Sequence, residues 1–427
     1  MKKQLIQPVK GTRDFYPEQM ALRMWLYNSI RTVSDRFGYQ EYEGPILESI
    51  SLYAARSGEE LVKEQSFVLT DRGGDELALR PELTPTLARM VAQKQNVLPK
   101  PIRWWSFGPF WRYERPQKGR TREFFQWNID LIGSESIQAD AEIAAIGAEF
   151  LRSVGLGPDI IRIQVNNRRL MDAQLRAMGV AGEPIPAVFR VIDKREKMKD
   201  QAWVEYAMSV GLSESQITSL RAMLCSRDLW KQSDELAAFF EAVADLGAGD
   251  YFDYEPSIVR GLDYYTGTVM EARDRDGEFR AIFGGGRYDN LVGDVGGDRL
   301  PGVGFAMGDV VIGLVLSKYG KLPVLKTSPT QVLIATFDAS LFSVARRLAA
   351  QWRADGLRVE LYPDAAKLDR QLKYADAKNI PFVAILGPDE AATNTVTLKD
   401  LQSKSQERMA YSAVAQILEQ RLLGPGQ

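Results

Sequence analysis

Residues 110–127 read Phe110-Trp111-Arg112-Tyr113-Glu114-Arg115-Pro116-Gln117-Lys118-Gly119-Arg120-Thr121-Arg122-Glu123-Phe124-Phe125-Gln126-Trp127. Aromatic residues crowd both ends, as strands prefer, and a polar loop with proline and glycine joins them. The stretch predicts strand, loop, strand. Side chains alternate faces along a strand, so Arg112 and Glu114 share a face. On the second strand, residues 123–132, Phe125, Trp127, Ile129 and Leu131 line an apolar face, and Gln126, Asn128 and Asp130 the opposite one. A polar row inside a sheet is costly unless something hydrogen-bonds to it; a bound polar ligand would do so. Arg115, Lys118, Arg120 and Arg122 make the loop basic, which suits phosphate oxygens. A solvated hairpin with surface ion pairs is the competing reading of the same charges.

Outward from this hairpin, residues 67–70 and 76–79 are strand-like runs around Asp71-Arg72-Gly73-Gly74-Asp75, a hairpin signal. Residues 83–96 read as a helix with Pro85 near its start. In residues 18–37, Leu22, Trp25, Leu26, Ile30, Val33 and Phe37 recur at helical spacing. Residues 103–107 and 110–115 read as two short strands. A helix is expected at about 140–155, a mostly helical, charged stretch from about 166 to 247, and strands again at 258–272 and 279–283. The glycine cluster at 284–286 alone would signal a turn, and a helix is expected from about 307 to 318. Beyond a linker at 322–329, strands at 332–336, 358–362, 382–386 and 395–399 interleave with helices at 341–355, 365–378 and 412–423. That is an α/β domain of about 100 residues.

The chain has 427 residues, enough for about two or three domains. Its 54 basic and 56 acidic side chains nearly cancel, so nucleic-acid binding, if any, must come from local patches. Cys225 is the only cysteine, which excludes disulfides within the chain and thiolate metal clusters. There is no histidine. A Ser-His-Asp triad, an imidazole base and a His-ligated metal are therefore excluded, and no metal site is expected. No apolar run is long enough to span a bilayer, and the start lacks a signal-peptide core. A cytoplasmic protein without membrane contact is expected.

The run from Arg112 to Arg120 resembles motif 2 of the class II aminoacyl-tRNA synthetases, in the form found in the histidyl-tRNA synthetase family. Further segments carry the same resemblance: Lys10-Gly11-Thr12-Arg13-Asp14 at the N-terminus, Pro45 in the place of the motif 1 proline, Leu79-Arg80-Pro81-Glu82-Leu83-Thr84, Arg260-Gly261-Leu262-Asp263-Tyr264-Tyr265, and Gly285-Gly286-Arg287-Tyr288-Asp289. The resemblance covers nearly the whole chain. It implies an α+β fold: a class II core with an antiparallel sheet flanked by helices over residues 1–165 and 248–322, a helical insertion at 166–247, and a C-terminal α/β anticodon-binding domain at 330–427. It also implies a homodimer.

It further implies that ATP, histidine and tRNA(His) are the substrates, with Mg2+ assisting through ligands the resemblance does not name. Arg112 would hold the α-phosphate of ATP, Arg120 the outer phosphates, and Glu114 the adenine. Glu82, Thr84 and Gln126 would bind the α-ammonium of histidine. Asp130 and Tyr265 would bracket the imidazole, with Tyr264 beside them. Arg260 would contact the carboxylate and the α-phosphate together, making Arg260 and Arg112 the catalytic pair. Arg115 and Gln117 would meet the acceptor end of the tRNA. The chemistry suits a histidine-free chain: a carboxylate attacking phosphorus is already ionised, so alignment and charge neutralisation do the work.

Single residues have blander readings. Glu82 could pair with Arg80 or Arg89, Tyr264 and Tyr265 could be core aromatics, and Arg260 could be a structural ion-pair partner. One departure from the family is clear. Motif 3 usually ends in an arginine that binds the γ-phosphate, and in Gly304-Phe305-Ala306-Met307-Gly308-Asp309-Val310-Val311 that place holds Val311. The outer phosphates would then fall to Arg120, another basic residue or magnesium. An alternative from another class is a synthetase-like regulatory subunit of histidine biosynthesis that binds histidine without charging tRNA. Retention of the motif 2 loop and the C-terminal domain favours the enzyme. In the C-terminal domain, Lys367, Arg370, Lys373 and Lys378 form the basic side of a helix that would face the tRNA or simply solvent.

Overall fold

The computed structural model describes residues 5–54, 65–115, 117, 119–180, 184–260 and 264–423. Pro116 and Lys118 of the basic loop and Gly261-Leu262-Asp263 of the tyrosine-containing signature lie outside the described residues. Contacts divide the chain into two compact units, the first made of the N-terminal stretch to Asp14 with Arg23–Leu322, the second of Phe15–Leu22 with Pro323 onward.

The first unit contains strands β1 (Gln40–Glu41), β2 (Leu47–Ser49), β3 (Phe67–Thr70), β4 (Glu76–Leu79), β5 (Ile102–Trp111), β6 (Glu123–Ile132), β7 (Ile161–Asn167), β8 (Phe252–Tyr254), β9 (Thr268–Asp274), β10 (Phe283–Tyr288) and β11 (Gly302–Gly308). Eight of them form one sheet in the order β1-β5-β6-β11-β10-β9-β7-β8, and β2-β4-β3 form a small second one. The six central strands are antiparallel, as expected. The edge strands β1 and β8 add parallel, so the sheet is mixed rather than wholly antiparallel.

The alternation of β6 decides the layering. Trp127 and Ile129 are fully buried, and Trp127 packs against Phe150 and Phe305 at ring-centroid distances of 5.3 and 4.9 Å. Phe150 belongs to the helix Ile137–Ser153, whose Ser136 side chain caps the Gln138 amide, satisfying a helix-start donor. Ile143, Ile146 and Leu151 of that helix are fully buried. The opposite face of the sheet is left to the polar row.

Several local expectations are corrected. The two short strands around Gly108-Pro109 are one strand, β5. Trp111 donates its amide away from β6, to the Arg80 carbonyl at 3.1 Å. Pro109, two residues earlier, therefore places its missing donor on that same outer side and costs no β5–β6 bond. The strand expected at 258–272 begins only at Thr268. The glycine cluster is not a turn but the centre of β10, in register between β9 and β11. A Cβ on Gly285 would stand 2.0 Å from the Gly304 carbonyl oxygen, so glycine is what lets these strands close. Between β7 and β8 the chain is helical, with Arg168–Ala177, Pro184–Asp193, Asp200–Ser209, Glu214–Cys225 and Asp234–Asp245.

The second unit holds β12 (Val332–Thr336), β13 (Val359–Leu361), β14 (Phe382–Leu386), β15 (Thr395–Asp400) and β16 (Gln406–Ala410), in the order β13-β12-β14-β15-β16. The amphipathic helix of the basic residues is Leu368–Ala377; Ala375 is buried, while Lys373 pairs with Asp369 at 2.8 Å on the exposed side. β16 carries little apolar patterning, one buried residue in five, and the sequence reading missed it.

Candidate active site

The polar face of the large sheet floors a cleft of about 980 Å³. β6 contributes Gln126, Asn128 and Asp130, and β11 lies beside them with Gly308, Ala306 and Gly304 in register. Small residues leave room for polar side chains to lie flat on the sheet. A Cβ on Gly304 would come 2.1 Å from Asp130 Oδ1, and one on Gly284 would come 2.1 Å from Arg260 Nη1.

Asp130 is 5% exposed, and the Tyr288 hydroxyl donates to its Oδ1 at 2.6 Å. Burial pushes the Asp130 carboxyl up to about 7, against the pull of that hydrogen bond. The Tyr264 hydroxyl donates to Glu82 Oε2 at 3.4 Å, and the Tyr264 and Tyr265 rings are 4.9 Å apart. Arg80 and Arg89 pair elsewhere, Arg80 with Glu43 at 2.5 Å and Arg89 with Glu48 at 2.7 Å. Glu82 and Thr84, at the start of the helix Thr84–Lys94, both line the cleft.

Arginines line the same cleft. Arg112 Nε donates to the Pro81 carbonyl at 3.0 Å, and the guanidinium lies 5.2 Å from the Phe124 ring centroid. Burial lowers its affinity for the proton, while Glu82 and Glu114 act in the opposite direction. Arg120 pairs with Glu114 at 2.8 Å. Arg260 Nη1 donates to Glu271 Oε2 at 2.6 Å, and Arg273 Nε reaches the other carboxylate oxygen at 2.5 Å. Burial alone would raise the Glu271 carboxyl, but the two guanidiniums hold it below the usual glutamate range. Arg260 is thus both an ion-pair partner and a cleft residue. Its backbone has φ +56°, the left-handed region that non-glycine residues rarely enter. Arg168 holds this conformation with three bonds, to the carbonyls of Val259, Arg260 and Tyr265 at 3.0, 2.9 and 3.0 Å.

All ten residues expected to bind ATP or histidine line this one cleft, coming from four separate segments. Arg115 and Gln117 do not; both are exposed on the loop outside it. Nor does Arg122 offer itself to phosphate: it packs 4.2 Å from the Tyr113 ring and donates to the Glu114 carbonyl. Among the described basic residues of that loop, only Arg120 faces the cleft. The sequence reading missed Tyr288, Glu271 and Arg168 as supports. Only the position of Tyr288 beside the glycine cluster hinted at a role. In motif 3, Asp309 accepts from the Phe125 amide at 2.9 Å and from Arg13 Nη2 at 2.8 Å. The segment therefore braces β6 against the N-terminal Lys10–Asp14 signature.

No group of three or more acidic or cysteine side chains placed to hold a metal occurs among the described residues. The cleft carboxylates Glu114 and Glu271 are each paired with arginine.

Residues 11–309 match the family model described as histidyl-tRNA synthetase, and residues 331–421 match the anticodon binding domain. The chain is 37% identical over 425 residues to the histidine–tRNA ligase of Leptospira biflexa, covering 97% of each chain. It is 37% identical over 420 residues to the histidine–tRNA ligase of Haloarcula marismortui, covering 95% of this chain and 96% of that one. Among solved structures, histidyl-tRNA synthetase from Nostoc sp. PCC 7120 matches with a TM-score of 0.82 at 27% identity, covering 98% of this chain and 100% of that one.

Proposed function

The chain belongs to the histidyl-tRNA synthetase family and is an ATP-dependent histidine–tRNA ligase, and we propose that the ten cleft residues carry its first step, the activation of histidine. The observation that supports this most directly is the convergence of these carboxylates, tyrosines and arginines, from four separate segments, on one cleft. Asp130, aligned by Tyr288, and Tyr265 receive the imidazole, with Tyr264 beside them. Glu82, Thr84 and Gln126 take the α-ammonium. Buried polar partners of this kind reject side chains that leave them unmatched. Arg112 and Arg260 neutralise the α-phosphate and the attacking carboxylate, Glu114 meets the adenine, and Arg120 meets the outer phosphates.

A histidine carboxylate oxygen attacks the α-phosphorus. The bond from that phosphorus to the oxygen bridging to the β-phosphate breaks, and pyrophosphate leaves with the electron pair. No proton is transferred, so no general base is needed. Arg260, fixed by Glu271 and Arg168, presents a planar fork to oxygens that gain charge in the transition state. A ribose hydroxyl oxygen at the 3′ end of tRNA(His) then attacks the carbonyl carbon of histidyl-adenylate; the bond from that carbon to the phosphate oxygen breaks, and AMP leaves with the electron pair and the hydroxyl proton. Magnesium would travel with the ATP phosphates, since the cleft carboxylates Glu114 and Glu271 are each paired with arginine.

Arg115 and Gln117 face the tRNA acceptor end from the exposed loop. A homodimer is supported by the small sheet, where Leu47 and Leu69 share one face and are each 42% exposed; exposed apolar residues on one face mark interaction surfaces. No helix among the described residues is long and apolar enough to cross a membrane, and a cytoplasmic location is proposed.

The test is histidine-dependent exchange of pyrophosphate into ATP. Exchange should be robust in the wild-type protein and should fall about 100-fold or more in Arg260→Ala. Tight histidine binding without any exchange would overturn the reading.

A further inference from the structure

We propose that Arg280 binds the outer phosphates of ATP, in the place left by the motif 3 arginine that Val311 replaces; this rests on the activation reading above. Three observations converge on it. First, the space beside Val311 opens onto the motif 2 loop: a Cβ on Gly119 would lie 3.9 Å from Val311 Cγ2, and Gly119 precedes Arg120. Gly119, Arg120, Val310, Val311 and Arg280 all line the same cleft. An arginine carried from elsewhere can therefore serve the region that residue 311 no longer reaches.

Second, Arg280 is presented by an anchored turn. It lies between β9 and β10, where Asp274, 3% exposed, accepts the amides of Glu278 and Phe279 at 3.3 and 3.2 Å. Gly277 enters the left-handed region at φ +66°, and its amide bonds back to the Asp274 carbonyl at 3.0 Å. Lys318 holds Asp274 from the other side at 3.4 Å. After the turn, the Ile282 amide rejoins the Ala272 carbonyl at 2.8 Å. The backbone on both sides of Arg280 is thus fixed, while its side chain extends along the cleft.

Third, its charge is unanswered. Arg120 has Glu114, and Arg260 and Arg273 share Glu271. Among the described residues Arg280 has no hydrogen-bond or ion-pair partner. It is close enough to Arg120 for the two cations to repel, and the Glu114 carboxylate acts on it in the opposite direction. Two guanidiniums facing one carboxylate across a partly desolvated cleft form a site that an anion completes. Pyrophosphate, and the β- and γ-phosphates from which it forms, is the anion the reaction supplies there. In the activation step, Arg280 would share the charge that builds on the leaving group as the α–β phosphoanhydride bond breaks.

Arg280 is exposed, so its replacement should leave the fold intact, and unchanged thermal unfolding would check this. In Arg280→Gln the KM for ATP in pyrophosphate exchange should rise roughly 10- to 100-fold, the loss expected for a charge-assisted contact. The inhibition constant of inorganic pyrophosphate should rise in parallel. The KM for histidine and the affinity for AMP, which has no outer phosphates, should stay within about twofold. Arg280→Lys should recover part of the loss, and adding Val311→Arg to Arg280→Gln should recover part by restoring a guanidinium from motif 3. Unchanged ATP and pyrophosphate constants in Arg280→Gln would overturn the proposal, as would an equal loss of AMP binding. Absence of histidine-dependent exchange in the wild-type protein would instead remove the activation reading itself, and this proposal with it.

Discussion

Arg168 Nη2 donates to the main-chain carbonyl of Arg260 at 2.9 Å, so one arginine holds the backbone of another in a left-handed conformation. A non-glycine residue at positive φ costs about 1–3 kcal/mol and persists only where its surroundings enforce it. The enforcement here comes from the three carbonyl bonds of a single guanidinium. The strain aims the Arg260 side chain across Gly284 to Glu271.

Arg168→Ala should therefore reduce exchange about 10- to 100-fold, because an ångström of misplacement at a reacting centre costs that much. Arg168 does not line the cleft, so the KM for ATP should move less than kcat. Arg168→Lys should rescue poorly, since a single ammonium cannot match a three-way fork. Equal losses in KM and kcat would count against the aiming role.

Tyr288 bears on histidine recognition through Asp130. Tyr288→Phe removes the hydroxyl that stabilises the carboxylate, and burial would then push Asp130 further above about 7. The KM for histidine should rise roughly tenfold near neutral pH and recover toward the wild-type value in more alkaline buffer. A pH-independent change would show that Tyr288 acts only through packing.

The same carboxylate makes stability depend on pH. Its folded value, about 7, lies above its unfolded value of 3.8. Between these the folded state binds the extra proton, so stability falls as pH rises through that window. Asp130→Asn should remove this component. The variant should gain melting temperature relative to wild type at pH 8 but not at pH 4, as differential scanning calorimetry would record, while losing histidine activation.

Two adjacent glycines should respond differently to one added methyl group. In Gly284→Ala the new Cβ meets the far end of the Arg260 side chain, which can yield by giving up its place beside Glu271. Exchange should fall about 100-fold while the fold persists. In Gly285→Ala the Cβ meets the main chain of Gly304 and Phe305 at 2.0 and 2.5 Å. That strand pair cannot yield, and the soluble folded fraction should collapse. Soluble yield and circular dichroism of the two variants side by side would separate the cases.

Arg287 is 3% exposed, pairs with the fully buried Asp140, and donates to the Ser134 carbonyl at 2.9 Å. Arg287→Met should cost about 3–5 kcal/mol in denaturant unfolding, because it leaves a buried carboxylate unpaired. The double variant with Asp140→Leu should recover much of the loss.

The polar row of β6 was legible because strand alternation is local. Once residues 123–132 are read as a strand, Gln126, Asn128 and Asp130 must share a face. The basic loop was only partly legible, since composition says nothing of direction: Arg120 turns into the cleft, Arg122 packs on Tyr113, and Arg115 points outward. The glycine run 284–286 misled as a turn because glycine's freedom looks the same in a bend and in a crowded strand. Pro109 misled likewise, since only the pairing of β5 shows that its missing donor lies on the outer edge.

Residue order alone determined the family resemblance, the arginines and carboxylates that could serve adenylate formation, and the absence of an arginine at Val311. Those are statements about identity and near-neighbour spacing, which a linear chain carries in full. Tertiary structure decided which side chains answer one another: Tyr288 with Asp130, Arg168 with Arg260, and Arg280 beside Arg120 without an acid of its own. These pairs are separated by between 92 and 160 residues. They meet because β6, β11, β10, β9, β7 and β8 run side by side, and that adjacency comes from sheet pairing rather than from any local pattern.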